Sequence, residues 1–254
     1  MTSGNPDRRA ELEEALALAR RFVTACHPQA EAALLAGSRA RGEGGPHSDY
    51  DVFLLFRHLA EGAWRGRAVF EGKAFEVFAH DPGTLSYFCR VVVGGAAVPS
   101  VPEMVADGIA VRGEGGGALA SARALARRTL EAGPPPLDPG TKRHRLSAIT
   151  ELAGALADCP PGPARIAVGG ALYPMLADFA LRSAGAWSAS VKRLPAALAE
   201  LDPDLAEHFA AAFTALFGAN DPAPVVALAE AILAPHGPPP RDGFRIPSPP
   251  SWRD

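Results

Sequence analysis

Apolar residues recur at helical spacing over residues 7–26. Leu12, Ala15, Leu16, Ala19, Phe22 and Val23 line one stripe, with acids early in the segment and Arg20 and Arg21 late. That charge order complements a helix dipole, so the pattern predicts a helix. Ala32 to Ala36 and Val52 to Phe56 are short unbroken apolar runs. They are too short for helices and suit strands buried on both faces. From Arg67 to His80 two apolar runs flank Glu71-Gly72-Lys73, which predicts a hairpin. Pro82 opens a predicted helix over 83–93. A short helix at 102–107 and a strand from Ile109 to Arg112 complete the first group.

From Ala118 onward the periodicity is only helical. Helices are predicted over 118–132, 140–158, 163–184, 187–200, 202–217 and 222–234, with breaks at Pro- and Gly-rich points between them. Strands first and helices afterwards predict an α+β chain. A small mixed-sheet domain occupies 1–113, an all-α helical bundle 114–236, and a Pro-rich extended tail 237–254.

Composition adds mainly exclusions. With 25 Lys and Arg against 28 Asp and Glu, the net charge is −3. No basic stripe with stacking aromatics appears, so a nucleic-acid partner is not expected. Val91 to Pro99 is too short to span a bilayer, and the charged start of the chain lacks a signal-peptide core. No membrane partner is expected. Cys26, Cys89 and Cys159 match no metal-ligand spacing, and an odd count suits free thiols in a reducing, cytoplasmic setting. There is no phosphate loop ending in Gly-Lys-Ser/Thr, no dinucleotide-binding glycine pattern, no Gly-x-Ser-x-Gly and no His-Glu-x-x-His.

The informative stretch runs from Leu34 to Phe53. Asp49 and Asp51 stand two residues apart at the mouth of a predicted strand, so their carboxylates share one side. Two carboxylates so placed can hold divalent cations. Tyr50 and Val52 point the other way, into the core. The preceding strand ends at Gly37-Ser38, where a small residue lets the backbone approach a phosphate and a hydroxyl can donate to it. A helix opening at that turn would add anion-binding N–H groups. A phosphate cradle beside metal carboxylates is the hardware of phosphoryl or nucleotidyl transfer.

Gly37-Ser38, ten further residues, then Asp49-Tyr50-Asp51 resembles the signature of the nucleotidyltransferase superfamily that includes DNA polymerase beta. Gly37-Ser-Arg-Ala-Arg-Gly42 with Ser48-Asp-Tyr-Asp51 is similar to bacterial small-molecule and minimal members. The resemblance implies a third carboxylate on a later strand, and Glu76 in Phe75-Glu76-Val77-Phe78 matches it, as general base or as third metal ligand with Asp49 and Asp51. It implies Mg²⁺, two ions, and ATP as substrate. Gly37, Ser38, Arg41 and Ser48 would line the nucleotide site, with Arg39 and Arg41 meeting phosphate or forming surface ion pairs. The segment Trp187 to Pro195 is similar to the helical domain of aminoglycoside nucleotidyltransferases, and makes Lys192 a candidate phosphate ligand.

The resemblance implies Mg²⁺-dependent transfer of AMP from ATP to a hydroxyl of a small molecule, such as an aminoglycoside-like antibiotic. Asp178 and Glu151 are then candidate partners for amines. The alternative is an antitoxin-like or regulatory protein that binds or AMP-modifies a partner protein. The Arg-to-His spacing of the ribonuclease toxins that pair with minimal members is absent between 118 and 236, so a fused toxin of that kind is not expected.

Overall fold

Five short segments with apolar alternation or unbroken apolar runs form one mixed sheet in the computed structural model, which describes residues 6–237. The strands are β1 (Ala32–Ala36), β2 (Tyr50–Leu55), β3 (Trp64–Phe70), β4 (Lys73–His80) and β5 (Ile109–Arg112), in the order β3-β4-β2-β1-β5. Only β2 and β4 run parallel; every other neighbouring pair is antiparallel. β3 and β4 form the expected hairpin. Glu71 and Gly72 both take positive φ at its turn, at 48° and 72°. Two left-handed residues in succession give a turn whose twist matches that of the strands.

Both faces of the sheet are covered, which is why β1 and β2 read as continuous apolar runs. On one face α1 (Pro6–Cys26) packs Leu18, Phe22 and Val23 over Leu35, Val52, Leu54 and Phe75. Phe22 stacks on Phe75 with ring centroids 4.1 Å apart and meets Phe70 edge-on at 5.6 Å. The other face carries Leu34, Phe53 and Leu55, covered by Leu85, Val101, Val105, Leu119 and Ala126. These come from the helical segments Pro82–Tyr87, Ser100–Asp107 and Gly117–Ala132.

The helix expected over 83–93 begins at Pro82 with a capping box between Asp81 and Thr84, then passes into a π-helical turn at Phe88–Val92. The chain divides into Met1–Gly133 and Pro134–Asp254. The sequence pattern placed a boundary at 113/114, and the compact units divide at 133/134. The helix Gly117–Ala132 buries Leu119, Ala122 and Ala126 with the sheet and belongs to the first unit.

Among its described residues the second unit is all helical, as expected. Its helices Pro139–Asp158, Pro163–Ser183, Leu194–Leu201, Pro203–Ala219 and Ala223–Leu233 share one core around Ile149, Leu156, Leu172, Phe179, Leu198 and Phe209. The helix expected over 187–200 starts only at Leu194, after a 3₁₀ turn at Val191–Arg193. Pro195 lacks an N–H and belongs in a first helical turn, so it marks a start rather than an interior. Pro163–Ser183 is long and apolar enough to cross a membrane by length and composition, and here it buries Leu172, Leu176, Phe179 and Leu181 in the helical core. The three cysteines are free thiols. Apart from Gly237, the tail expected over 237–254 lies outside the described residues.

Two outcomes follow for stability. Phe22→Ala removes a fully buried ring and should cost about 3–5 kcal/mol in denaturant unfolding. His80 is buried between the Phe53 and Phe88 rings with Nδ1 unpartnered. Burial lowers its pKa, opposed by the Asp81 charge and the Thr84 backbone. The unfolded chain therefore binds a proton at higher pH than the native one, so this stability contribution is present above about pH 6.5 and is lost as pH falls below it. His80→Phe should flatten that part of a melting-temperature profile between about pH 7.5 and 5.

Candidate active site

β1 ends at Ala36, and Gly37 turns the chain into a single helical turn, Gly37–Ala40. Gly37 has φ +66°, a conformation that L side chains rarely adopt. A Cβ placed there would overlap the Asp51 carboxylate, lying 2.8 Å from Cγ. The glycine thus lets the backbone at the strand end lie directly beside Asp51. The turn is too short to carry much of a dipole. It has no side-chain cap, and its carbonyls at Gly37 and Ser38 accept from Arg41 N and Glu43 N.

Asp51 pairs in register with Ala36 on β1 and with Glu76 on β4. Because β2 and β4 are parallel neighbours, Asp51 and Glu76 project from the same face at a strand spacing of about 4.8 Å. Asp49 precedes β2 by one residue, in the loop, and is half-buried like Asp51. Tyr50 and Val52 lie on the opposite face, buried against α1, as the alternation predicted.

Glu76 is where sequence reasoning saw least. Its side chain is only 12% exposed. Two arginines on β3 compensate it. Arg65 donates from Nε and a terminal nitrogen at 2.9 and 2.7 Å, and Arg67 Nε lies 3.5 Å away. All three contacts fall on Oε1, which leaves Oε2 outside the ion pair. A carboxylate taken out of water needs such partners. The signal was in the hairpin: a turn at Glu71-Gly72 sets Arg67 opposite Glu76, and Arg65 follows from the two-residue period. Arg65 also lies over the Phe78 ring, at 5.1 Å.

The loop between Gly37 and Asp49 is organised by Arg39. Its guanidinium donates to the carbonyls of Gly45 and Ser48 at 2.9 and 3.0 Å and lies 4.7 Å from the centre of the Tyr50 ring. Arg39 is therefore a positioning residue that fixes the approach to Asp49. Gly44 gives it room, since a Cβ there would fall 2.8 Å from Arg39 Cδ. The Ser48 hydroxyl accepts from Gly45 N at 2.9 Å and closes the same loop. Arg41 pairs with Glu43 at 2.8 Å, as a partly exposed surface ion pair. Lys192 lies exposed in the second unit, within the turn Val191–Arg193.

Among the described residues no group of three or more His, Cys, Asp or Glu could hold a metal ion. The donors present suit a different arrangement. Asp49 and Asp51 supply two carboxylates with the Gly37 backbone alongside. A magnesium ion needs one or two carboxylates when substrate phosphates complete its shell. Asp49 and Asp51 would suit a cation that shares its shell with a phosphate ligand.

Gly37→Ala should lose about 1–2 kcal/mol from backbone strain alone, and more where Asp51 must move; denaturant unfolding reads the total. Arg65→Ala combined with Arg67→Ala should cost about 1–3 kcal/mol by stranding Glu76. Glu76→Leu in that double variant should recover most of the loss. A double variant that unfolds like wild type would show that the pairs carry no stability.

No family model matches the chain, and no curated protein does. Among solved structures it is similar to the crystal structure of a nucleotidyltransferase-like protein from Exiguobacterium sibiricum 255-15. The identity is 13%, the match covers 86% of this chain and 73% of that one, and the TM-score is 0.37. A likeness this distant assigns no residue and no chemistry to this chain.

Proposed function

We propose that the first unit is a Mg²⁺-dependent nucleotidyltransferase that moves a nucleoside monophosphate, AMP from ATP, to a hydroxyl of a small molecule. The observation that carries this reading is the Gly37 backbone seated against Asp51, with Asp49 two residues before it and Glu76 in register beside it. A left-handed glycine, two acids and a third, compensated acid gathered at one end of neighbouring strands suit phosphoryl chemistry, where a close backbone approach, metal carboxylates and a base act together.

In this reading Asp49 and Asp51 would hold magnesium, which would supply charge neutralisation to the triphosphate and its pyrophosphate leaving group. Gly37 and Ser38 bring backbone and hydroxyl to the phosphates. Glu76, held at Oε1 by Arg65 and Arg67, presents Oε2 to the acceptor hydroxyl and takes its proton. The acceptor oxygen forms a bond to the α-phosphorus as the bond to the bridging oxygen breaks. Pyrophosphate leaves carrying that electron pair. Fixed positions supply much of the rate, because the groups need not be gathered at each turnover. Arg39 contributes indirectly, by holding the 45–48 loop so that Asp49 meets the cation.

Calorimetry of a non-hydrolysable ATP analogue tests this. Wild type should bind it with Mg²⁺ at least tenfold more tightly than without. Asp51→Asn should lose that Mg²⁺ dependence while keeping the wild-type fold. Equal affinity with and without Mg²⁺ in wild type would sink the proposal.

A further inference from the structure

In the first unit the helices Pro82–Tyr87 and Gly117–Ala132 cover the same face of the sheet without closing the space between them. Leu55 at the end of β2, Leu85 on the first helix and Ala122 on the second are buried, and they floor a cavity of about 500 Å³. Leu125 is half-buried in its wall. The volume lies within the range of small-molecule sites, whose linings are mostly apolar with a few polar groups. The space has a local cause. The helix Gly117–Ala132 sends Leu119 and Ala126 into the core from one side. Toward the cavity its first two turns present only Gly117, Ala118, Ser121 and Ala122, which are too small to fill it.

The polar groups of the lining sit above that floor. Ser86 is half-buried, while Ser121 and Arg128 are exposed at the rim. Ser121 and Arg128 are two helical turns apart, about 10 Å along the axis. A guanidinium stays charged at ordinary pH and offers its donors in a planar fork that matches a carboxylate. Among the described residues that line the cavity, Arg128 is the charged one. A ligand that suits this lining has an apolar body for the floor and a single negative charge for the rim. A cationic ligand would meet Arg128 as a like charge.

The cavity is separate from the candidate active site. Asp51, Phe53 and Leu55 alternate onto one face of β2. Leu55 stands four residues beyond Asp51, about 13 Å along the strand. We infer that this cavity binds a small monocarboxylate with an aliphatic body. The body covers Leu55, Leu85 and Ala122, and the carboxylate accepts hydrogen bonds at the rim from Arg128 and a serine hydroxyl. The site stands whether or not the first unit transfers nucleotides.

The test titrates the full chain with octanoate, kept below the concentration at which it forms micelles, and separately with octanol, by calorimetry at constant ionic strength. Octanoate should bind wild type saturably and at least tenfold more tightly than octanol. Arg128→Gln removes the rim charge from an exposed position. It should weaken octanoate at least tenfold and leave octanol within threefold. Ser121→Phe starts from another exposed position and fills the space. It should weaken both probes at least tenfold. If Ser121→Phe does not fold, Arg128→Gln decides alone. Three results would overturn the inference: no saturable octanoate binding to wild type, octanol binding as tightly as octanoate, or octanoate affinity within threefold of wild type in a folded variant. Because both variants alter only this cavity, octanoate held elsewhere on the chain would survive them and give the third result.

Discussion

At the end of β1 the chain must turn away with the Asp51 carboxylate directly alongside, and this leaves no space for a Cβ. Gly37 meets both demands, the left-handed φ and the close approach. The rest of the candidate site is built outward from that contact. β2 is central in the sheet, with β1 on one side and β4 on the other, so Asp51 is fixed by ladders on both edges. The parallel register then puts Glu76 next to it, and the β3–β4 hairpin puts Arg65 and Arg67 against Glu76. Apolar layers on both faces hold these strands in place.

Both units handle partly or wholly buried charge, and they do so in opposite ways. In the first, one carboxylate with little exposure has two arginines that reach it from exposed positions. The arginines keep most of their hydration, so the ion pairs cost little to form. In the second, Arg182 is itself buried and must share Asp178 with Arg145. Glu76 has two partners, whereas two nitrogens of Arg182 have none among the described residues.

Much of this was legible in the sequence because it depends on local pattern. The strands, the hairpin turn, the helical second half and the placing of Asp49, Asp51 and Glu76 all follow from period-2 and period-3.6 spacing and from Gly and Pro at element ends. What escaped depended on contacts between distant segments. Whether the helix Gly117–Ala132 belongs with the sheet is decided by where Leu119 and Ala126 find apolar partners, which its own periodicity does not encode. Ser48 and Arg39 are spent on the loop's own carbonyls and N–H groups, and a residue list alone favours neither that role nor phosphate binding. Spacing puts acids on one face, but whether they converge depends on which cations claim them, and Arg65 and Arg67 claim Glu76.

In the proposed site a cation arriving with a triphosphate would meet the chain at the Gly37–Asp51 contact. Substituting Mn²⁺ for Mg²⁺ and recording amide relaxation by NMR, with and without a non-hydrolysable ATP analogue, locates that meeting point. Mn²⁺ should broaden the amides of Gly37, Ser38, Asp49 and Asp51 strongly when the nucleotide is present and weakly when it is absent. Broadening centred elsewhere on the chain, or none in the presence of nucleotide, would contradict it.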